Sequence, residues 1–197
     1  MLVSHSKKFV FFHLYKVAGT SVKRALNPYK EAKGRPHTKP SEIKDKNLLN
    51  YFKFCFVRNP WDWQVSLYFY MLLKKNHRQH ALIKSMNFEQ YIEWRVNYEC
   101  FTQYEWLSEN GNLSGNIDID FIGKYEFLNS DFNKICDILK IGCSLPYKNK
   151  ANHKHYTEYY TEKSKKIIEK AFKKDINFFG YSFKNKNLIS GEEVYNG

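Results

Sequence analysis

Two short apolar runs restrict this chain more than anything else in it: residues 8–14 (KFVFFHL) and residues 51–57 (YFKFCFV). Both are rich in aromatic and β-branched residues, both are too short for a buried helix, and a turn signal ends each, so both read as buried strands. A helical stripe follows each one, Val22, Ala25 and Leu26 after the first and Val65, Tyr68, Phe69 and Leu72 after the second. Parallel neighbours need crossover connections of that kind. The expected fold is therefore α/β, a parallel sheet with crossover helices.

The rest of the chain fills in around these two units. Residues 27–40 (NPYKEAKGRPHTKP) form a long connection of the sort that carries function. Ser41 is placed to cap a helix running to Leu49, and the capping-box pair Asn87 and Gln90 opens another. Residues 116–123 (NIDIDFIG) alternate and predict a third strand, followed by a helix over 131–139 and a last long one over 161–173. At 197 residues, without repeats or low-complexity linkers, the chain suits one domain over residues 1–183 with a helical insertion and a polar tail at 184–197. No run approaches a membrane span or the core of a signal peptide, so a cytoplasmic location is expected. Cys55, Cys100, Cys136 and Cys143 show no metal spacing, and Cys55 and Cys136 fall at core positions, so they read as buried thiols.

The first turn is chemically loaded. HLYKVAGTS, from His13 to Ser21, puts Lys16, Val17, Ala18, Gly19, Thr20 and Ser21 between a strand and a helix. Such a turn aims backbone N–H groups at one spot, where an anion is favoured. Lys16 adds a full charge, Thr20 and Ser21 add hydroxyls, either of which can cap the helix, and Gly19 allows close approach or positive φ. The spacing is not that of GxxxxGK[ST], because the lysine precedes the glycine.

The second turn, RNPWDW, places Arg58 at the end of a strand, the edge where open α/β sheets bind ligands, with Ser66 eight residues on. An arginine and a serine there can converge on a second phosphate; alternatively Arg58 pairs with Asp62 and Ser66 faces a neighbouring helix. Lys+Arg 32 against Asp+Glu 20 gives a net charge of +12, which favours anionic partners without naming one.

Taken together, the two turns resemble those of the PAPS-dependent sulfotransferases, in particular the Golgi-type carbohydrate enzymes and their bacterial relatives. FFHLYKVAGTS is similar to their 5'-phosphosulfate loop, HxPKTGGTS, and FKFCFVRNPWDWQVSLY to their 3'-phosphate motif, FxRNPxxRxxSxY. The likeness runs on through FIGKYEFLNSDFNKIC and the C-terminal helix, covering roughly residues 8–183. Three positions depart from it: Tyr15 replaces the usual proline, Ala18 a glycine and Trp63 an arginine.

The resemblance implies a P-loop nucleotide-kinase-like fold and sulfuryl transfer from 3'-phosphoadenosine 5'-phosphosulfate (PAPS) to a hydroxyl, most naturally of a carbohydrate, leaving adenosine 3',5'-bisphosphate. It implies that residues 16–21 cradle the 5' end and Arg58 with Ser66 the 3'-phosphate, with no metal required. Lys16 would then stabilise charge on the leaving oxygen. A catalytic histidine is implied in the long loop, where His37 stands; Glu126 is a second candidate base. Gln103 and Trp106 are candidates for an acceptor groove, with core packing the simpler role for Trp106.

The other histidines offer less. His13 is placed to steady the loop, His77 and His80 read as exposed, and His153 with His155 makes a poor metal site. Lys148, Lys150 and Lys154 form a basic patch. Two rival functions have sequence support: a kinase using Asp118 or Asp120 to hold Mg²⁺, and a basic nucleic-acid-binding module. On the sulfotransferase reading no nucleic acid is expected as a partner.

Overall fold

The computed structural model describes residues 1–146 and 153–184. They group into two compact units, one holding the described residues of Met1–Arg58 and Gln103–Lys148, the other those of Asn59–Thr102 and Asn149–Gly197.

The first unit is α/β and contains a five-stranded sheet in the order β3-β1-β2-β4-β5. The strands are β1 (Leu2–Ser4), β2 (Phe9–Phe12), β3 (Ala32–Lys33), β4 (Phe52–Val57) and β5 (Phe121–Lys124). β2, β4 and β5 are parallel, with Phe9 opposite Phe52 and Phe54 opposite Phe121. Their side chains make an aromatic core in which Phe9, Phe11, Phe54 and Phe56 are fully buried. Phe11 stacks on Phe54 with ring centroids 5.2 Å apart. Gly123 makes room for this packing, since a Cβ there would meet the Phe56 ring at 2.4 Å.

The sheet is mixed rather than wholly parallel, which corrects the expectation. β1 runs antiparallel to both β2 and β3. A tight turn joins β1 to β2, and a connection that short can only reverse the chain. Strands of three and two residues are too brief to show a period. β5 is also shorter than predicted, because Asp118 and Asp120 are spent on Lys53: Asp118 pairs with its ammonium, and Asp120 accepts from its backbone N–H at 2.7 Å.

The helix expected from Ser41 to Leu49 is absent. Two 3₁₀ turns, Pro40–Glu42 and Lys46–Asn50, stand there, with Ile43 extended between them and Asp45 accepting from the Asn47 N–H at 2.9 Å. SEIKDKNLL has too little apolar stripe to repay helix nucleation. The unit's helices are α1 (Gly19–Ala25), α5 (Gln103–Leu107) and α6 (Leu128–Leu139).

The described part of the second unit is helical: α2 (Pro60–Leu73), α3 (His80–Lys84), α4 (Phe88–Tyr98), α7 (Glu162–Ala171) and α8 (Lys173–Phe179). Asn59 caps α2, with Pro60 in its first position, and the Asn87–Gln90 box opens α4 as the sequence implies. The predicted last helix splits at Phe172, a fully buried residue with φ −104° and ψ 22°. Trp63, standing where the resembled family often has arginine, is fully buried edge-on to Phe172. No described helix is long and apolar enough to cross a membrane.

Candidate active site

The parallel strands β2, β4 and β5 all run into one edge of the sheet, and the sequence loads that edge with polar groups. After β2 the chain must leave a buried strand and start α1 within a few residues. Val17 is fully buried and pins the turn, while the backbone on either side of it is left-handed, Lys16 at φ 63° and Ala18 at φ 60°. Neither residue is glycine, so each conformation costs roughly 1–2 kcal/mol that the surrounding packing has to hold. The Ala18 carbonyl starts the helix by accepting from Ser21 N–H at 2.9 Å and Val22 N–H at 3.2 Å. The cap is therefore backbone, and neither Thr20 nor Ser21 supplies it.

Gly19 is needed for close approach and not for positive φ. A Cβ on it would lie 1.6 Å from Cδ2 of the His13 ring. His13 is buried behind the loop, stacked on Phe11, and its Nδ1 has no hydrogen-bond partner among the described residues. Burial first, then the positive charges of Lys23, His37 and the N-terminus, pushes its pKa down to about 3. The ring is neutral at ordinary pH.

Arg58 follows β4 and is buried. Its backbone is clamped by the buried Gln103 amide, which accepts from Arg58 N–H at 2.8 Å and donates to its carbonyl at 2.7 Å. Its guanidinium lies over the Tyr125 ring, 4.0 Å from the centroid, and Nη1 donates to the Lys16 carbonyl at 3.3 Å. A planar cation stacked this way is held in one orientation. The structure thus brings Arg58 onto the loop that carries Lys16. Glu126 follows Tyr125 in a 3₁₀ turn at the same edge.

His37 reaches this edge from the long loop. Its backbone is left-handed at φ 57°, held by the next residue, Thr38, which is buried and donates to the Arg35 carbonyl at 2.7 Å. His37 is exposed, and its Nδ1 lies 2.8 Å from the His13 carbonyl. A carbonyl can only accept, so Nδ1 carries the hydrogen and Nε2 the lone pair. The two rings are 4.7 Å apart, and Tyr15 meets His37 edge-on. Desolvation against these neighbours, then the Lys23 charge, lowers the His37 pKa against the opposing pull of the His13 carbonyl.

Ser66 is buried on α2 in the second unit. Trp106 is core, and Gln103 is the backbone clamp just described rather than a groove wall. His77 and His80 are half-buried, each engaged through Nδ1, the first accepting from Gln79 N–H and the second donating to the Met71 carbonyl. His153 and His155 are turned to separate local partners. Lys154 pairs with Glu158 at 3.4 Å, whereas Lys148 and Lys150 lie outside the described residues. Among the described residues no cluster of three or more His, Cys, Asp or Glu could hold a metal ion.

Sequence reasoning missed Tyr125 and underrated Gln103 and His13. GKYEF does place an aromatic one residue beyond a strand end, which is the only signal Tyr125 gives.

A strand-end arginine thus rests on a lysine-bearing turn at the ends of two parallel strands. Residues 1–182 match the model of the sulfotransferase family, and the chain belongs to that family. Among curated proteins it is similar to an uncharacterized protein of Archaeoglobus fulgidus, 32% identical over 103 residues, which is 52% of this chain and 77% of that protein. No solved structure gives a significant match.

Proposed function

We propose that the chain transfers a sulfuryl group from PAPS to a hydroxyl group, most naturally of a carbohydrate, on a P-loop nucleotide-kinase-like framework. The observation that carries this reading is the meeting of Arg58 and the Lys16 loop at the ends of β4 and β2. The donor has two anionic ends; residues 16–21 suit the 5' end and the positive charge of Arg58, oriented by the Tyr125 ring, suits the 3'-phosphate. Ser66 is the second 3'-phosphate contact that the family resemblance suggests. The framework is supported by parallel β2, β4 and β5 and by the loop that leads from β2 into α1.

The donor supplies an activated sulfuryl group. The chain's own residues do the rest. With Nδ1–H committed to the His13 carbonyl, His37 offers Nε2 to take the proton from the acceptor hydroxyl as its oxygen attacks. The lowered pKa keeps that nitrogen unprotonated at neutral pH. Lys16 places a positive charge at the loop where negative charge grows on the leaving phosphate oxygen, which favours the transition state over the ground state.

Family membership favours an enzyme over a nucleic-acid-binding module. The kinase reading loses its acids, since Asp118 and Asp120 are engaged with Lys53 at the far end of β4. Thermal unfolding separates the two enzymes: adenosine 3',5'-bisphosphate is expected to raise Tm, and ATP with Mg²⁺ to leave it unchanged. The reverse result overturns the sulfotransferase reading of the site. For the base, His37→Ala is expected to lower kcat by about 100-fold or more, while calorimetry finds unchanged affinity for adenosine 3',5'-bisphosphate. Full turnover in that variant moves the base to another residue, with Glu126 next in line.

A further inference from the structure

The C-terminal end of α6 folds back on itself. Lys140 takes the left-handed conformation at φ 51°, and the next N–H, of Ile141, returns to the Cys136 carbonyl at 3.0 Å. This six-to-one closure is a Schellman-type helix stop, and it sends the following residues back over the last turn. Ile141 is buried, which fixes the reversal. The sulfurs of Cys136 and Cys143 end 3.0 Å apart, and the Cys136 thiol also points at the Cys143 carbonyl at 3.6 Å. A disulfide needs about 2.05 Å between sulfurs, so bonding requires only a small rotation of side chains. Neither thiol has a part in the proposed sulfuryl transfer.

We propose that Cys136 and Cys143 are an oxidative modification site, closing to an intramolecular disulfide when the chain meets a small-molecule disulfide such as oxidised glutathione. Cys143 is half-exposed and Cys136 buried, which assigns the two roles. The Cys143 thiolate, its proton given to solvent, attacks one sulfur of the oxidant, forming a mixed disulfide and releasing one small thiolate. Cys136 then gives up its proton and attacks the Cys143 sulfur, which forms the protein disulfide and releases the second small thiolate. Two protein thiols lose two electrons and the oxidant takes them up as two thiols. Burial and the Cys143 thiol push Cys136 up to about 12, so the second step quickens as pH rises.

Closure would also fix the segment between the two cysteines. Its Gly142 carbonyl accepts from the Tyr29 hydroxyl at 3.2 Å, so the link ties the end of α6 to the turn Asn27–Tyr29. Cys55, by contrast, is buried in β4, with burial alone holding its pKa far up.

The test uses the full chain, treated with oxidised glutathione, then unfolded and alkylated before tryptic mapping. Cleavage after Lys134, Lys140 and Lys148 separates residues 135–140 from 141–148. The expected product is these two peptides joined, short of two hydrogens and free of alkyl label. In Cys143→Ser the expected result is a fully alkylated Cys136. The oxidised wild type should also melt a few degrees higher than the reduced protein, and the variant should not. Glutathione retained on Cys143 beside an alkylated Cys136, or both thiols alkylated after treatment, overturns the proposal. Should the variant fail to fold, the wild-type map decides alone. The outcome is independent of whether the chain binds the nucleotide.

Discussion

β4 carries a basic side chain at each end, and the protein uses the two in opposite ways. Lys53, near the start, is buried against Asp118, and Asp120 takes its backbone N–H. Arg58, five positions on and about 16 Å away along a strand, is directed at a carbonyl and the face of a ring. At the first end the chain supplies the counter-charge and completes a piece of structure. At the second it orients a cation against the turn that holds Lys16 and Ala18 in left-handed conformations. Burial and charge are alike at both ends; the contacts differ, a carboxylate at the first and a carbonyl with an aromatic face at the second.

That contrast can be broken by experiment. Arg58→Ala is expected to weaken adenosine 3',5'-bisphosphate binding by roughly 2–4 kcal/mol, about 30- to 1000-fold, read by calorimetry; equal affinity would remove Arg58 from the nucleotide site. Gly19→Ala comes next, because a Cβ has no space beside the His13 ring. A loss of about 1–3 kcal/mol in urea unfolding is expected, and the double variant with His13→Ala should recover part of it. Additive losses in that cycle would show that the two residues do not press on each other.

The third effect concerns pH. His13 titrates near 6.5 in the unfolded chain and at about 3 when folded. Between those values the unfolded chain holds the extra proton, so the stabilisation is complete above about pH 6.5 and is lost as pH falls toward 3. From pH 7 to pH 5 this residue should withdraw about 2 kcal/mol, and His13→Gln should flatten that part of the profile. An unchanged acid limb would mean that His13 is accessible to protons in the folded state. The smallest effect is at the other end of β4: Lys53→Met should cost less than about 1 kcal/mol, because Asp118 remains solvated, and should leave nucleotide affinity untouched. A binding loss there comparable to that of Arg58→Ala would erase the distinction between the two ends.

The parallel heart of the sheet was legible because Phe9–Phe12 and Phe52–Val57 are long enough to show a pattern. β1 and β3 were not, since two or three residues carry no period and their pairing depends on partners distant in sequence. No α-helix follows Ser41, because a capping residue without an apolar face behind it does not sustain one. In the candidate site, Lys16 and Arg58 stand out as charges at strand ends, where residue type and position both speak. Gln103 and Tyr125 act through contacts made across the sheet edge, and no local spacing announces them. The left-handed backbones of Lys16, Ala18 and His37 are equally silent, because sequence signals that conformation chiefly through glycine or asparagine.

The ring pressed on Gly19 and the carbonyl holding His37 both belong to His13. The turn after β2 and the loop that carries His37 are therefore bolted to one residue. Losing the His13 ring would therefore relieve one contact, and shifting its backbone would disturb the other.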